Sequence, residues 1–298
     1  MEAELLDMYT FVILHYKNYM DTIECIESII KMPQQVNVVV VDNASKNDSI
    51  DKIYDKYKIM ENVHIIKNEK NLGFADGNNI GYKYAREKLK SKFILVCNND
   101  LIFNQKDYLT KLSDIYESTN AHIIGPDIES LTSGEHQNPM SGTSNSFYYV
   151  TKEILRYRVL LILSKLRIYD VLKKRKNLNT EKRSVKYNIE AKNKVLHGAM
   201  LIFTPRYVEN EEKAFRSGTF LYMEEDILYL YAKNKNYTTL YTPKLHVYHK
   251  EDSSTNEVYK SSKKKREFVF KNMINSLKVY RKYLMVIKRN IHVLSRAV

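Results

Sequence analysis

Val36-Asn-Val-Val-Val-Val41 is the run that most limits the fold: nearly every position is β-branched and none of its faces is polar. Such a segment suits a strand buried on both sides, as in the middle of a parallel sheet. Thr10–Leu14, Val63–Ile66, Phe93–Cys97 and His122–Gly125 are further short apolar runs of strand length. Helical spacing lies between them. Tyr19, Ile23, Ile26 and Ile30 share one face of a helix that Pro33 ends, Asp42 to Asp48 reads as a loop capping a helix through Ile50, Ile53 and Tyr57, and further helices are expected from about Ala75 to Leu89 and from Tyr108 to Ser118. Alternating strand and helix units predict an α/β fold with a mostly parallel, Rossmann-like sheet and helices on both faces. The alternation breaks from Ser130 to Thr180. It resumes with a strand-like Val195–Phe203, a helix holding Glu225 and Asp226, a short strand at Thr238–Tyr241, and the run Pro243-Lys-Leu-His-Val-Tyr-His249.

In such sheets ligands bind beyond the carboxyl ends of the strands, where Asp42, the loop Asn71-Leu-Gly-Phe-Ala-Asp-Gly-Asn-Asn79 and the triplet Asn98-Asn99-Asp100 all fall. The triplet offers oxygen ligands at the end of a rigid strand, suited to Mg²⁺ or Mn²⁺, and a cation there would offset the charge of a nucleoside diphosphate. Alone, it would equally suit a polar turn or helix cap. Glu224-Glu225-Asp226 can supply a carboxylate base whose pKa is raised by burial or by its neighbours. Adjacent helical residues point about 100° apart, so one of Glu225 and Asp226 faces a ligand. An acidic pair at a helix start also simply complements the helix dipole. His197 and His249 suit structural roles as well as ligation, and the polar run Lys250-Glu-Asp-Ser-Ser-Thr255 beside His249 could hold a phosphate.

The net charge of +13 is unevenly spread: residues 151–187 carry +9 and residues 260–298 carry +11, leaving −7 on the rest. The α/β body is therefore acidic and the basic character belongs to two segments. One mixes leucine and isoleucine with Arg156, Arg158, Lys165 and Arg167; the other sets Val269, Met273, Leu277, Tyr280, Leu284 and Ile287 on one helix face. Both read as basic amphipathic helices, which either pack on the body or lie on an anionic membrane surface. A nucleic-acid partner is not expected, since no recognition module is visible. Two cysteines, Cys25 and Cys97, give neither a disulfide framework nor a metal spacing. No apolar run reaches the roughly 18 residues needed to span a bilayer, and the acidic start Met1–Met8 lacks a secretion-signal pattern, so a cytoplasmic enzyme is expected.

The ordered set Thr10–Tyr16, Val39-Val-Val-Asp-Asn-Ala-Ser45, Asn71–Gly81, Asn98-Asn-Asp100, His197-Gly198, Glu225-Asp226 and His249 resembles the family 2 glycosyltransferases of GT-A fold, in particular the rhamnosyltransferase-like bacterial branch that builds capsule, O-antigen or other surface polysaccharides. The likeness runs from about residue 9 to 255. It implies inverting transfer from a UDP- or dTDP-sugar, with Tyr16 and Asp42 at the nucleobase and Asn71 and Gly73 along the nucleotide and sugar. Asn98, Asn99 and His197 would line the same pocket, with Asp100 and His249 on the metal and Asp226, or alternatively Glu225, as the base. Asn98 departs from the acidic residue usual at the first triplet position. The organisation expected is a catalytic domain over 1–255, with an irregular acceptor- and membrane-facing insertion at about 130–190, and a basic helical region over 256–298. The acceptor expected is a glycan or lipid-diphosphate-linked sugar at the inner face of the cell membrane. A non-catalytic nucleotide-sugar or glycan-binding protein of this fold is the rival reading. A nucleotidyltransferase fits less well, because residues 10–20 contain no glycine for a phosphate loop.

Overall fold

A computed structural model describes residues 9–170, 186–251 and 262–294. The first half is a run of parallel βα units: β1 (Tyr9–His15), α1 (Tyr19–Ile30), β2 (Asn37–Asp42), α2 (Ser49–Tyr57), β3 (Val63–Lys67), α3 (Gly73–Glu87) and β4 (Phe93–Asn98). There follow β5 (Leu101–Ile102), α4 (Tyr108–Thr119), β6 (Ile123–Ser130), α5 (Phe147–Lys165), β7 (Ala191–Lys192), β8 (Met200–Phe203), α6 (Pro205–Val208), α7 (Glu224–Asn234), β9 (Thr239–His249) and α8 (Ser262–Leu294). The described strands form one sheet in the order β3-β2-β1-β4-β8-β6-β9-β5, with β7 paired to β9. It is parallel from β3 to β4, then mixed: β8 runs antiparallel to both β4 and β6, while β6 and β9 are parallel.

Strand alternation sorts the core. Phe11, Ile13, Val38, Val40, Leu95 and Cys97 pack with α1, α2 and α4 on one face of the sheet. Val12, Val39, Val41, Ile94 and Val96 pack with α3, α6 and α7 on the other. The sheet is thus buried on both faces, which is why its strands read as continuous apolar runs. Helix α3 lies unusually close to β1. A Cβ at Gly81 would sit 2.3 Å from Val12 Cγ1, and one at Gly77 2.7 Å from Leu14 Cδ1.

Two expected elements differ in extent. The strand read as Val195–Phe203 is confined to Met200–Phe203, and His197-Gly198 forms a loop before it. The separate pieces at Thr238 and Pro243 form the single strand β9, whose pairing with β6 shifts register between Pro126 and Asp127, where β9 passes from Thr242 to His246. Pro243 lies in this irregularity, where the missing N–H costs no ladder bond.

The two basic segments meet each other. Helices α5 and α8 pack lengthwise and with α7 enclose a third cluster of Val150, Ile154, Met223, Ile227, Leu230, Ile274, Leu277, Tyr280 and Leu284. The partners along the pair run antiparallel: Lys263 donates to the Lys165 carbonyl, and Arg281 reaches Thr151. Most of the face expected on the second segment is therefore occupied by protein. Among the described residues no helix is long and apolar enough to cross a membrane. The expected features at Met1–Met8, residues 171–185 of the expected insertion, residues 252–255 of the polar run, and residues 256–261 and 295–298 of the basic region lie outside the described residues.

Candidate active site

The parallel register brings the strand ends level: Leu14 is opposite Val41 and Asn98, and His15 is opposite Asp42. Tyr16, Asp42 and the Asn98–Asp100 turn therefore share one edge of the sheet. Behind that edge, His15 is fully buried, with Nδ1 2.8 Å from Thr22 Oγ1 and Nε2 2.8 Å from Ser49 Oγ. Burial pushes its pKa down to about 4, so it is a neutral strut between α1 and α2. Tyr16 is partly buried, with the Lys17 ammonium 5.2 Å from its ring centroid. Asp42 accepts from the Ser45 amide and hydroxyl, which fixes its carboxylate at the strand end.

The Asn-Gly loop is tied down by Asn43, whose Nδ2 donates to Asn71 Oδ1 (3.1 Å) and to the Gly73 carbonyl (3.0 Å), while its Oδ1 accepts from the Leu72 amide. Gly73 has φ +79°, and its Cβ would fall 2.3 Å from the Phe220 carbonyl oxygen. That carbonyl also accepts from the Phe74 amide at 2.8 Å, stitching α3 to the approach to α7. No side chain fits at Gly73. Glycine there serves a backbone approach.

Asp100 and His249 come together because β5 pairs antiparallel with β9, placing Leu101 opposite His249, and the Lys250 amide donates to the Asp100 carbonyl. His249 Nε2 is 3.2 Å from Asp100 Oδ1. Its Nδ1 is 2.7 Å from Gln137 Oε1, and Gln137 Nε2 in turn donates to the Glu251 carboxylate. That second bond fixes the amide, so Nδ1 carries the imidazole proton and Nε2 turns a lone pair toward Asp100. Asp100 Oδ1 is buried with no hydrogen-bond partner among the described residues. Two electron-pair donors this close repel unless a cation joins them or the ring gains a second proton. Adjacent corners of an octahedron with ~2.1 Å bonds lie ~3.0 Å apart, so the pair suits two cis positions on Mg²⁺ or Mn²⁺. Among the described residues no group of three or more His, Cys, Asp or Glu is placed to hold a metal ion together, so the remaining positions would fall to water or ligand oxygens.

Asn99 Nδ2 donates to Thr22 Oγ1 (3.0 Å) and the Asn18 carbonyl (3.4 Å), so this buried amide ties the end of β4 to the start of α1. Asn98 is partly buried at the end of β4, its amide donating to the Ala199 carbonyl. Cys25 and Cys97 are buried apolar neighbours beneath this turn.

From the Asp100–His249 pair a continuous wall leads to the acids. The rings of His249 and His197 have centroids 6.2 Å apart, and burial lowers the His197 pKa to about 4. The His197 amide donates to Asn138 Oδ1. Gly198 follows, and a Cβ there would meet Glu225 Oε1 at 2.4 Å. The next residue is Asp226, whose Oδ1 accepts from the Thr143 amide. Tyr222 and Met223, at φ 73° and 71°, turn the chain sharply into α7 and set these acids in its first turn. Burial raises the pKa of Glu225 and of Asp226, and burial with the charge of Glu225 pushes Glu224 up to about 8. The structure thus joins Asp100, His249, His197, Glu225 and Asp226 along one wall. It adds Asn43, Gln137, Asn138 and Thr143. Asn43 was inside a recognised motif, but its bonds are long-range; Gln137 and Asn138 fall where the sequence carries no periodicity.

A profile of "Glycosyl transferase family 2" matches residues 10–175. The chain is 31% identical over 127 residues to the low-salt glycan biosynthesis hexosyltransferase Agl10 of Haloferax volcanii, covering 43% of this chain and 38% of Agl10. It is 38% identical over 93 residues to the dTDP-rhamnosyl transferase RfbF of Shigella flexneri, covering 31% of this chain and 29% of RfbF. The matches therefore span well under half of either relative. Among solved structures, S. aureus TarS 1–349 in complex with UDP superposes with a TM-score of 0.53 at 14% identity, covering 82% of this chain and 60% of that one. This likeness concerns the fold, a mixed sheet flanked by helices of the GT-A kind. With its profile match extending over more than half of its length, the chain belongs to glycosyl transferase family 2.

Proposed function

We propose that the protein transfers a hexosyl or deoxyhexosyl group from a UDP- or dTDP-sugar to a glycan hydroxyl, with inversion at the anomeric carbon. The observation that carries this is the run of contacts from Asp100 and His249 through His197 and Gly198 to Glu225 and Asp226, a wall on which a cation and a carboxylate base would act on the same donor. Asp42 and Tyr16 sit where a nucleobase would lie, beyond β2 and β1. Asp100 and His249 are the residues to hold Mg²⁺ or Mn²⁺, which when bound offsets charge growing on the departing diphosphate.

A cleft of about 550 Å³ adjoins Asp226, bounded by Gly142, Thr143, Asn145, Lys194 and Tyr229. It is the place for an acceptor. Asp226 would take the proton of the acceptor hydroxyl as its oxygen attacks the anomeric carbon from the face opposite the diphosphate, the sugar–phosphate bond breaking as the new glycosidic bond forms. The raised pKa makes this carboxylate a stronger base than an exposed one. Asp226 is preferred to Glu225 because Glu225 is held against Gly198, whereas Asp226 meets the 142–143 loop that lines the cleft. Lys186 and Lys194 at the cleft suit an anionic, lipid-diphosphate-linked acceptor, and hence work at the inner face of a cell membrane.

Asp226→Asn is expected to lower kcat by a factor of about 10² to 10⁴. Its UDP-induced thermal shift in Mn²⁺ should stay at the wild-type value. An Asp226→Asn enzyme that still turns over at the wild-type rate would remove the base, and a chain that binds UDP yet transfers nothing across a donor and acceptor panel would remove the transferase reading.

A further inference from the structure

Helix α5 has two apolar faces, and only one is used. Val150, Ile154, Tyr157 and Leu161 turn inward against α7 and α8. Leu155, Val159, Ile162 and Leu166 are 60%, 47%, 56% and 62% exposed, with Tyr148 at 78%. At 100° per residue these five fall within about 60° of one another, on the side opposite the buried face. Leu155 to Leu166 spans ~16 Å along the axis. Lys152 and Arg156 flank the stripe on one side and Arg158 and Lys165 on the other, all exposed. A soluble helix turned this way would carry polar residues outward.

We infer that this outer stripe of α5 seats in the interface of an anionic lipid bilayer, the four aliphatic side chains entering the acyl boundary while the flanking lysines and arginines reach headgroup phosphates. Charge complementarity commits the surface to lipid: a narrow aliphatic strip between two cationic rows matches the layering of acyl chain and anionic headgroup. A second copy of the chain would bring the same cations against each other. The placement follows from the site as well. The loop at 142–145 lines the cleft beside Asp226 and leads directly into α5 at Phe147, so a docked α5 would hold that cleft beside the membrane surface. This deepens the membrane-side reading above and rests on it only for the acceptor. It also moves the docking role to α5, since α8 spends Leu277, Tyr280 and Leu284 on protein.

The chain contains no tryptophan, so Val159→Trp provides a single reporter. Its emission should shift to the blue on adding vesicles of equal phosphatidylcholine and phosphatidylglycerol, and stay unshifted with phosphatidylcholine alone. In co-sedimentation with the mixed vesicles, Leu155→Ser/Ile162→Ser/Leu166→Ser should bind about tenfold more weakly. Lys152→Gln/Arg158→Gln/Lys165→Gln should lose the dependence on phosphatidylglycerol. All three proteins should keep the wild-type UDP-induced thermal shift, so a loss of vesicle binding is separable from a loss of the donor site. An unshifted Val159→Trp emission with mixed vesicles would overturn the proposal. So would a blue shift that follows protein concentration without lipid, because that outcome assigns the stripe to a second copy.

Discussion

Glu224 stands out among the acids at the head of α7 because it is 3% exposed and its Oε1 has no hydrogen-bond partner among the described residues. Burial, and next the neighbouring charge of Glu225, raises its pKa from 4.5 to about 8. A carboxyl whose folded pKa lies above its unfolded one binds its proton more tightly in the native state. Its contribution to stability is therefore complete below pH 4.5 and is lost as the pH rises through about 8. Glu224→Gln keeps the shape and removes the charge. It should stabilise the fold by roughly 1–3 kcal/mol above pH 8 and change little below pH 4.5, read as thermal midpoints of both proteins across that range. A pH-independent difference would show that Glu224 is not the titrating group. The acids at 224–226 were readable as a cluster, and Asp42 and Asp100 as strand ends, because strand register alone places them. Asn99 was not, since its direction is set by Thr22, 77 residues away in sequence. Gln137 escaped notice for the same reason, and Glu251 was read only as part of a polar run: what they do for His249 exists only once β9 lies beside β6.

At the level of elements, α3 shows how glycine spacing sets a packing distance. Gly73, Gly77 and Gly81 fall four apart, lining one stripe of the helix. Gly81→Ala weighs two opposing effects. Helix propensity gains about 1 kcal/mol. Against it, the new methyl would lie 2.3 Å from Val12 Cγ1 and 2.9 Å from Val41 Cγ2, both on stiff β-branched side chains in the centre of the sheet. Overpacking of that kind costs roughly 1–3 kcal/mol or more, so the net change should be destabilising. Urea unfolding should show a lower midpoint with an unchanged slope. A midpoint at or above the wild-type value would mean that α3 can lift off β1 without loss. The parallel half of the sheet was legible in the sequence because its strands are buried on both faces and bounded by helices of ordinary length. The mixed half was harder to read. Met200–Phe203 is a four-residue strand whose direction depends on partners on either side, and the register shift in β9 concealed one long strand as two short ones.

Considered as a whole, the molecule uses its basic helix α8 to support α7, the helix that starts with the three acids. Ser276 Oγ donates to the Leu221 carbonyl at 2.7 Å, just ahead of α7, and Tyr280 Oη donates to Asn145 Oδ1 at 2.7 Å, just beyond the loop that meets Asp226. Between these two bonds, Leu277 is 2% exposed within the cluster that also contains Met223 and Ile227, on either side of Glu224–Asp226. The cluster therefore fixes both the helix that carries Asp226 and the loop that faces it. Leu277→Ala should cost about 2–5 kcal/mol of stability through the cavity it leaves. If α8 also positions the proposed base, kcat should fall in the folded variant while KM for the donor stays near the wild-type value, because the proposed nucleotide site lies at the ends of β1 and β2, away from this cluster. Vesicle binding should persist, since the outer stripe of α5 is untouched. A Leu277→Ala protein that unfolds earlier yet retains full kcat below its transition would reduce α8 to a passive cover. One that loses vesicle binding in proportion to activity would return the docking role to the C-terminal helix.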